Sequence, residues 1–491
     1  MSGSIFSGEK LNILEANMSK ENKLIGKVER FFDLKGNGTD FRTEILAGMT
    51  TFITVAYILI LNPQILSDPF MILGDADMAL KVSNGVFIGT CIASFIGTIL
   101  VALYAKMPFA QAPGMGLNAF FAYTVVLSMG YTYQQALVVV FISGVFFIVI
   151  TKIGLREAII RAIPEAVKKA ITPGIGLFIT IIGLKNSGLV VGHPATLVSM
   201  LDFSKWQSDP ESIALISSAL VAFFGLMVIG ILHARNVKGS IFLGIAASTL
   251  VGIPLGVTNI SNFSFNIAQK VHDFVEVSFF TLDFKGLFVG ENLAHTIFTV
   301  TMLVISFSLV NMFDSIGTLL GAGKQSGMVD EKGEVLHMKE ALMSDAISTA
   351  AGALLGTSTV TTVVESSAGI AEGGRTGLTS VVTALLFLGS IIFAPIVGIV
   401  PGAATAPALI FVGILMLSNI KDVDFGDMRD ALPSFCTIVF MPFTYSIANG
   451  IALGLISFCI VNLFTGRRKE IKPLTAIVAI VFVLRYAFMT M

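Results

Sequence analysis

Apolar runs of roughly 20 residues recur along almost the whole chain, each closed by charged residues or by Pro and Gly. That length suits a helix crossing the hydrocarbon core of a bilayer. Seven runs lie near 45–65, 85–105, 112–130, 134–151, 168–188, 212–232 and 240–258. Seven more lie near 295–320, 341–356, 358–372, 377–396, 403–418, 433–447 and 449–464. A further apolar stretch at 473–490 contains Arg485, and the pattern leaves open whether it spans, re-enters or lies in the interface. Longer insertions fall at 189–211 and 259–294. The second is rich in Phe, Val, Asn and Ser, which suits short strands or an interfacial helix.

Composition agrees with the runs. Of 491 residues, 54% are hydrophobic and 13% charged, against about 25% charged in soluble proteins. The chain therefore reads as a polytopic helical membrane protein, and its length is not to be divided into soluble domains. A net charge of −1 gives no reason to expect a nucleic-acid partner. Cys91, Cys436 and Cys459 all fall in apolar segments and read as small apolar residues, not as disulfide or metal ligands. The five histidines are scattered without ligand spacing, and His295 opens the eighth run. The polar, basic start lacks a signal-peptide apolar core, so the first run is expected to act as its own insertion signal.

Basic residues orient the runs. Lys10, Lys20, Lys23, Lys27, Arg30, Lys35 and Arg42 precede the first. Lys152, Arg156, Arg161, Lys168 and Lys169 follow the fourth, and Arg235 and Lys238 the sixth. Lys324, Lys332 and Lys339 follow the eighth, and Lys421 and Arg429 the twelfth. All share one side if the N-terminus is cytoplasmic. The opposite loops carry only Lys81, Lys185, Lys205, Lys270 and Lys285. Arg467, Arg468 and Lys469 join the basic side only if 433–447 and 449–464 are separate spans. Pro442 and the Asn449–Gly450 pair permit that break.

Seven runs on either side of the 259–294 insertion would place two halves in opposite orientation, the inverted-repeat plan of many secondary transporters. The fifth runs of the two halves, 171–188 and 404–420, share an early Pro, an apolar body and a Ser/Asn end. The third runs are the least regular. In 110–125, Pro113, Gly114 and Gly116 crowd the start and Asn118 follows. In 354–374, a β-branched stretch gives way to Glu365, Ser366 and Ser367. Each reads as a short extended piece followed by a half-helix. Unwound backbone survives at bilayer depth only where protein buries it or a cavity receives it.

Two acids stand inside these apolar runs, Asp314 in VNMFDSIGTLLGAG and Glu365 in the tenth run. A carboxylate at bilayer depth is costly and marks a substrate or proton pathway. Asn311, Asp314 and Thr318 fall on one helix face, which is expected to point into the protein. A structural ion pair would need Lys or Arg at mid-depth, and neither run has one. Arg375 and Lys324 read as end anchors, and Glu372 as part of an interfacial turn. Asn118 suits a half-helix cap as well as a ligand contact. Thr50, Thr51 and Thr54 suit helix packing or back-bonding as well as a site. Carboxylates, an asparagine and free backbone groups together suit a neutral solute bearing N–H donors and acceptors, not an anion. Phe109, Phe120 and Phe121 flank the break in the third run, where a flat ring could stack. A carboxylate without a cation can hold a proton, the minimal device for coupling. No HExxH or CxxC array suggests an enzyme, and no filter loop suggests a channel.

The segments 41–66, QAPGMGLNAFFAYTVV at 111–126, MFDSIGTLLGAG at 312–323 and ESSAGIAEGGRTGLTS at 365–380 carry a resemblance. The chain resembles the AzgA-like purine permeases of the nucleobase–ascorbate transporter superfamily, from about residue 41 to 490. The resemblance implies an all-α polytopic membrane protein of the uracil-permease type, with fourteen transmembrane segments in a seven-plus-seven inverted repeat. Short strands are expected in broken spans 3 and 10. It implies a core domain at 42–152 and 295–396 and a gate domain at 153–258 and 397–465. Residues 1–41 would be a cytoplasmic segment, 259–294 an extracellular loop and 466–491 a C-terminal apolar segment. It further implies proton symport of adenine, guanine or hypoxanthine across the plasma membrane, without a cofactor. Asn118, Ala119, Asp314, Thr318, Glu365 and Ser366 would bind the base, with Asp314 and Glu365 coupling the proton. The partners are then a nucleobase, protons and the bilayer, and a homodimer is compatible with the fold. A same-fold carrier of uracil, xanthine or another small solute is the alternative.

Overall fold

The apolar run that opens near Phe41 forms two helices, not one. In this computed structural model, which describes residues 26–154, 163–207, 210–260, 266–288, 293–325, 328 and 335–488, α1 spans Phe41–Val55 and α2 spans Ile58–Ile72. Asp40 caps α1, its carboxylate accepting from the Thr43 amide at 2.9 Å. The chain turns at Ala56–Tyr57, where the Leu59 and Ile60 amides reach only three residues back. The third helix, α3, spans Ala76–Leu100 and continues as a wider π turn at Val101–Ala105. It starts earlier than its apolar run because Asp75 caps it, accepting from the Met78 amide at 3.0 Å. Lys106, with φ 56°, ends it in the left-handed region.

Strand β1 (Gln111–Pro113) leads into α4 (Met115–Ala119), which runs on as a π-helix to Ser128. Helices α5 (Tyr133–Lys152) and α6 (Glu165–Asn186) follow. A hairpin of β2 (Val190–His193) and β3 (Leu197–Met200) fills the first insertion. Then come α7 (Pro210–Ala234) and α8 (Ser240–Gly252). The described part of the second insertion is helical, at Ile267–Asp273, Phe274–Ser278 and Phe284–Phe288. The strands thus belong to the first insertion and the helix to the second.

The second half runs α9 (Leu293–Gln325), α10 (Met338–Leu354), β4 (Val360–Thr362), α11 (Ser366–Ala371) and α12 (Gly377–Gly389). It ends with α13 (Gly402–Leu417), α14 (Met428–Phe443), α15 (Ile447–Phe464) and α16 (Pro473–Phe488). Each of the fourteen apolar runs read from the sequence falls on at least one of these elements; the first holds two helices, and the third and tenth a strand and a helix each. Among the described residues, eight helices, some continuous through their turns and α16 not among them, are long and apolar enough to cross a membrane. The last, α16, has 16 residues, about 24 Å of helix. It packs on α15, with the Tyr486 hydroxyl donating to Asn449 Oδ1 at 3.0 Å. Lys10, Lys20, Lys23, Arg156, Arg161 and Lys332 lie outside the described residues, as do the side chains of Lys324 and Arg485.

The two irregular segments meet. β1 and β4 pair antiparallel, with Gln111 opposite Thr362, Ala112 opposite Thr361 and Pro113 opposite Val360. The Gly114 amide donates to the Thr359 carbonyl, and the Val363 amide to the Ala110 carbonyl, each at 3.1 Å. All six strand residues are buried. Neither strand could stand alone there, because its amides and carbonyls would have no partners.

Glu44 shows how tightly these segments are tied. Its buried carboxylate accepts from the amides of Arg375 (2.8 Å), Thr376 (3.2 Å) and Thr379 (3.0 Å). It also accepts from the hydroxyls of Thr376 (2.9 Å) and Thr379 (2.7 Å). An anion from α1 therefore caps the N-terminus of α12. Gly48, one turn on, lets the helices touch: a Cβ there would stand 2.6 Å from the Thr379 carbonyl. Glu44→Ala strands those donors and is expected to cost about 2–4 kcal/mol. The thermal midpoint of detergent-purified protein reads this directly, and an unchanged midpoint would contradict it.

Candidate solute-binding site

A cavity of about 560 Å³ lies where the broken segments meet α9. One wall comes from Thr54 and Tyr57 at the break between α1 and α2, Pro113–Leu117, Asp314 and Thr318 of α9, and Thr362–Glu365. The other wall comes from α6, the turn between α7 and α8, and α13. His233 and Leu415 at its rim are exposed, so the cavity reaches the end of the molecule where residues 233–241 and 415–419 lie. Among the described residues lining it there is no Lys or Arg.

The acids reach the cavity by different routes. Asp314 projects from the middle of an unbroken helix. It stands against Gly114, where a Cβ would lie 3.5 Å from its Oδ2. Glu365 sits at the joint between β4 and α11, one residue before the helix begins. Its Oε1 accepts from the Tyr57 hydroxyl at 2.6 Å, the short distance of a charge-assisted bond. Beside them on the same wall lies the first turn of α4, and a helix N-terminus there favours an acceptor atom. The cavity thus offers two carboxylates and backbone donors around apolar walls, a set that fits a compact solute carrying both N–H groups and lone pairs.

Of the residues singled out from the sequence, Asp314, Thr318 and Glu365 line this cavity, and Asn118, Ala119 and Ser366 do not. Asn118 is buried behind it, its Oδ1 accepting from the Ser358 hydroxyl and its Nδ2 facing Met115 Sδ at 4.0 Å. Ser366 accepts from the Ala110 amide at 3.0 Å and donates to the Val363 carbonyl at 2.7 Å, and Ser367 takes the wall position. The reason is helical: side chains one residue apart diverge, so only part of each half-helix can face the cavity. Asn311 donates to Thr349 at 3.0 Å, inside the protein but off the cavity. Thr54 lines the wall while its hydroxyl back-bonds to Thr50 at 2.8 Å. Phe109, Phe120 and Phe121 are fully buried and absent from the lining, so they supply no stacking face. Phe120 packs on Phe307 and Phe121 on Tyr133. His295 is exposed and is not part of the lining. Arg375 is tied to the Ile370 and Gly374 carbonyls, and Glu372 pairs with Lys238.

Three participants were not read from the sequence. Tyr57 and His233 line the cavity. A tyrosine deep in an apolar run signals a buried hydroxyl in need of a partner, whereas His233 gave no signal. The third is Asp345, buried in α10, which accepts from Thr362 Oγ1 at 2.8 Å and from the Gln111 side-chain Nε2, gripping both strands at once. It stands inside an apolar run, and the reasoning used for Asp314 would have found it. At the end away from the cavity mouth, polar bonds bridge helices beside a second cavity of about 270 Å³ lined by Gln64, Asp68 and Asn186. Tyr123 donates to Asp68 at 2.6 Å and receives Asn186 at 3.2 Å, and Gln64 donates to the Val400 carbonyl at 2.7 Å. Asn118→Ala is expected to lower the stability of the ligand-free protein by about 1–3 kcal/mol, because Ser358 loses its buried acceptor. A midpoint unmoved by this substitution, with solute affinity changed, would instead put the asparagine in contact with solute.

Comparison with known proteins agrees with this geometry. A model of the permease family matches residues 42–453. The chain is 41% identical to the adenine permease AdeP of Escherichia coli, over 94% of this chain and 96% of the relative. It is 38% identical to the guanine/hypoxanthine permease PbuO of Bacillus subtilis, over 92% and 98%. Among solved structures, the transmembrane domain of a cyanobacterium bicarbonate transporter, BicA, superposes with a TM-score of 0.58. The match covers 84% of this chain and 97% of that one at 16% identity, and so speaks to the fold alone. The protein is thus an all-α, multi-pass membrane protein, and it belongs to the permease family, a transporter and not an enzyme.

Proposed function

We propose that this permease imports purine nucleobases together with protons. The observation that carries the reading is that Asp314 and Glu365 line one cavity between the strand-broken segments, with no Lys or Arg in its described lining. A carboxylate oxygen accepts from ring or exocyclic N–H groups, and the α4 amides donate to a carbonyl or ring nitrogen. Adenine, for which AdeP is named, and guanine and hypoxanthine, for which PbuO is named, have this pattern of donors and acceptors. In this reading Glu365, steadied by Tyr57, holds the base, and Asp314 both contacts it and carries the proton. Thr318 adds a hydroxyl to the same wall. Asn118, Ala119 and Ser366 support the site from behind.

The same reading assigns fourteen spans in a seven-plus-seven inverted repeat. The core comprises 42–152 and 295–396 and moves against a gate of 153–258 and 397–465. The distribution of Lys and Arg supports a cytoplasmic N-terminus in the plasma membrane. The turns at 233–241 and 415–419 then face the cytoplasm, and the structure represents an inward-open state. The bonds of Gln64, Tyr123 and Asn186 close its outer side.

Uptake of labelled hypoxanthine by a purine-transport-deficient bacterium expressing the chain tests this reading. Adenine, guanine or both should compete, xanthine and uracil should not, and an uncoupler should abolish accumulation. Competition by uracil alone would move the protein to the pyrimidine carriers. Glu365→Gln is expected to raise the KM about tenfold or more, as loss of a charged hydrogen bond does. Asp314→Asn should remove the pH dependence of uptake, and normal pH dependence in that variant would exclude the residue from coupling.

A further inference from the structure

Most glycines inside the long helices are needed by their neighbours. A Cβ on Gly144 would stand 2.6 Å from the Ala350 amide, on Gly176 2.8 Å from the Gly413 carbonyl, and on Gly225 2.9 Å from Pro407. Gly317 differs. It lies in the interior of α9 with ordinary helical backbone, and a Cβ there would meet nothing within 4 Å among the described residues. Glycine at such a position weakens a helix relative to alanine, since it frees the unfolded chain and contributes no contact. Neither packing nor backbone conformation accounts for it.

Its position does. Gly317 lines the cavity one turn beyond Asp314 and beside Thr318. Gly230 in α7 is also open, but it is not part of the cavity wall. We propose that Gly317 is a specificity-determining residue, whose missing side chain leaves room for the second ring of a fused bicyclic base held by Asp314 and Glu365. This rests on the nucleobase reading above and adds to it a size rule: a methyl at 317 intrudes on a two-ring base and spares a one-ring base.

Gly317→Ala and Gly317→Val in the full chain test the rule. Both are expected to fold, with ligand-free thermal midpoints at or above that of the wild type, because the added atoms enter open space. The KM for hypoxanthine should rise several-fold in the alanine variant and about tenfold or more in the valine variant, with Vmax close to unchanged. Inhibition by uracil, a single ring, should stay level or strengthen. An unaltered purine KM in both variants overturns the proposal. So does a lowered Vmax at constant KM, which would make Gly317 a point of helix flexibility. Should valine prevent folding, the alanine variant alone decides. A wild-type protein that takes up no nucleobase overturns the transport reading itself, and that outcome is distinct from a wild type that transports while its variants remain indifferent.

Discussion

The pairing of β1 with β4 is the constraint on which the rest depends. Two stretches of backbone, about 250 residues apart, leave the helical ladder in the interior of a chain that is otherwise apolar helix. In water such stretches would be solvated, but here each amide and carbonyl must find protein. Each strand supplies the other's partners, and Gln111 and Thr362, opposite one another, are both held by Asp345. Because the strands must be in register, the half-helices that follow them begin at set places. Glu365 and the amides of α4 therefore arrive at one cavity.

That geometry divides the polar residues into two groups. Asn118, Ser358, Ser366, Asp345 and Asn311 bond to protein, and they hold the crossing rigid. Asp314, Glu365, Thr318 and Tyr57 face the cavity. The first group is costly to bury, and each member makes at least one hydrogen bond to protein. The second keeps bonding capacity for something that is not part of the chain. Glu44 does at the end of α12 what Asp345 does at the strands, joining sequence-distant segments through a buried carboxylate. Four carboxylates in similar apolar settings, Glu44, Asp314, Asp345 and Glu365, thus differ in how many protein donors surround them.

Gln64, Tyr123 and Asn186 bridge helices at one end while the cavity reaches the other. These bonds are few and only partly buried, and one of them ends on the Asp68 carboxylate; net, each is worth little more than the water bonds it replaces. A closure of that strength suits alternation between two states better than permanent sealing does.

Helix positions, the two broken segments and the two cavity acids were legible from the residues alone, because apolar length, Pro–Gly crowding and a mid-run acid are local signals. Those signals do not say which neighbour a side chain meets. The structure turned Asn118 and Ser366 into supports and buried Phe109, Phe120 and Phe121 in the core. It also drew Tyr57 onto Glu365 across 308 positions. It put the hairpin in the first insertion, where the sequence had suggested strands as one option for the second. What the sequence determined by itself is which segments must hide from water and which polar groups are too costly to leave there without purpose. What only the tertiary structure decided is which of those groups satisfy one another. That depends on strand register and helix rotation, and both are set by contacts between residues far apart in the chain.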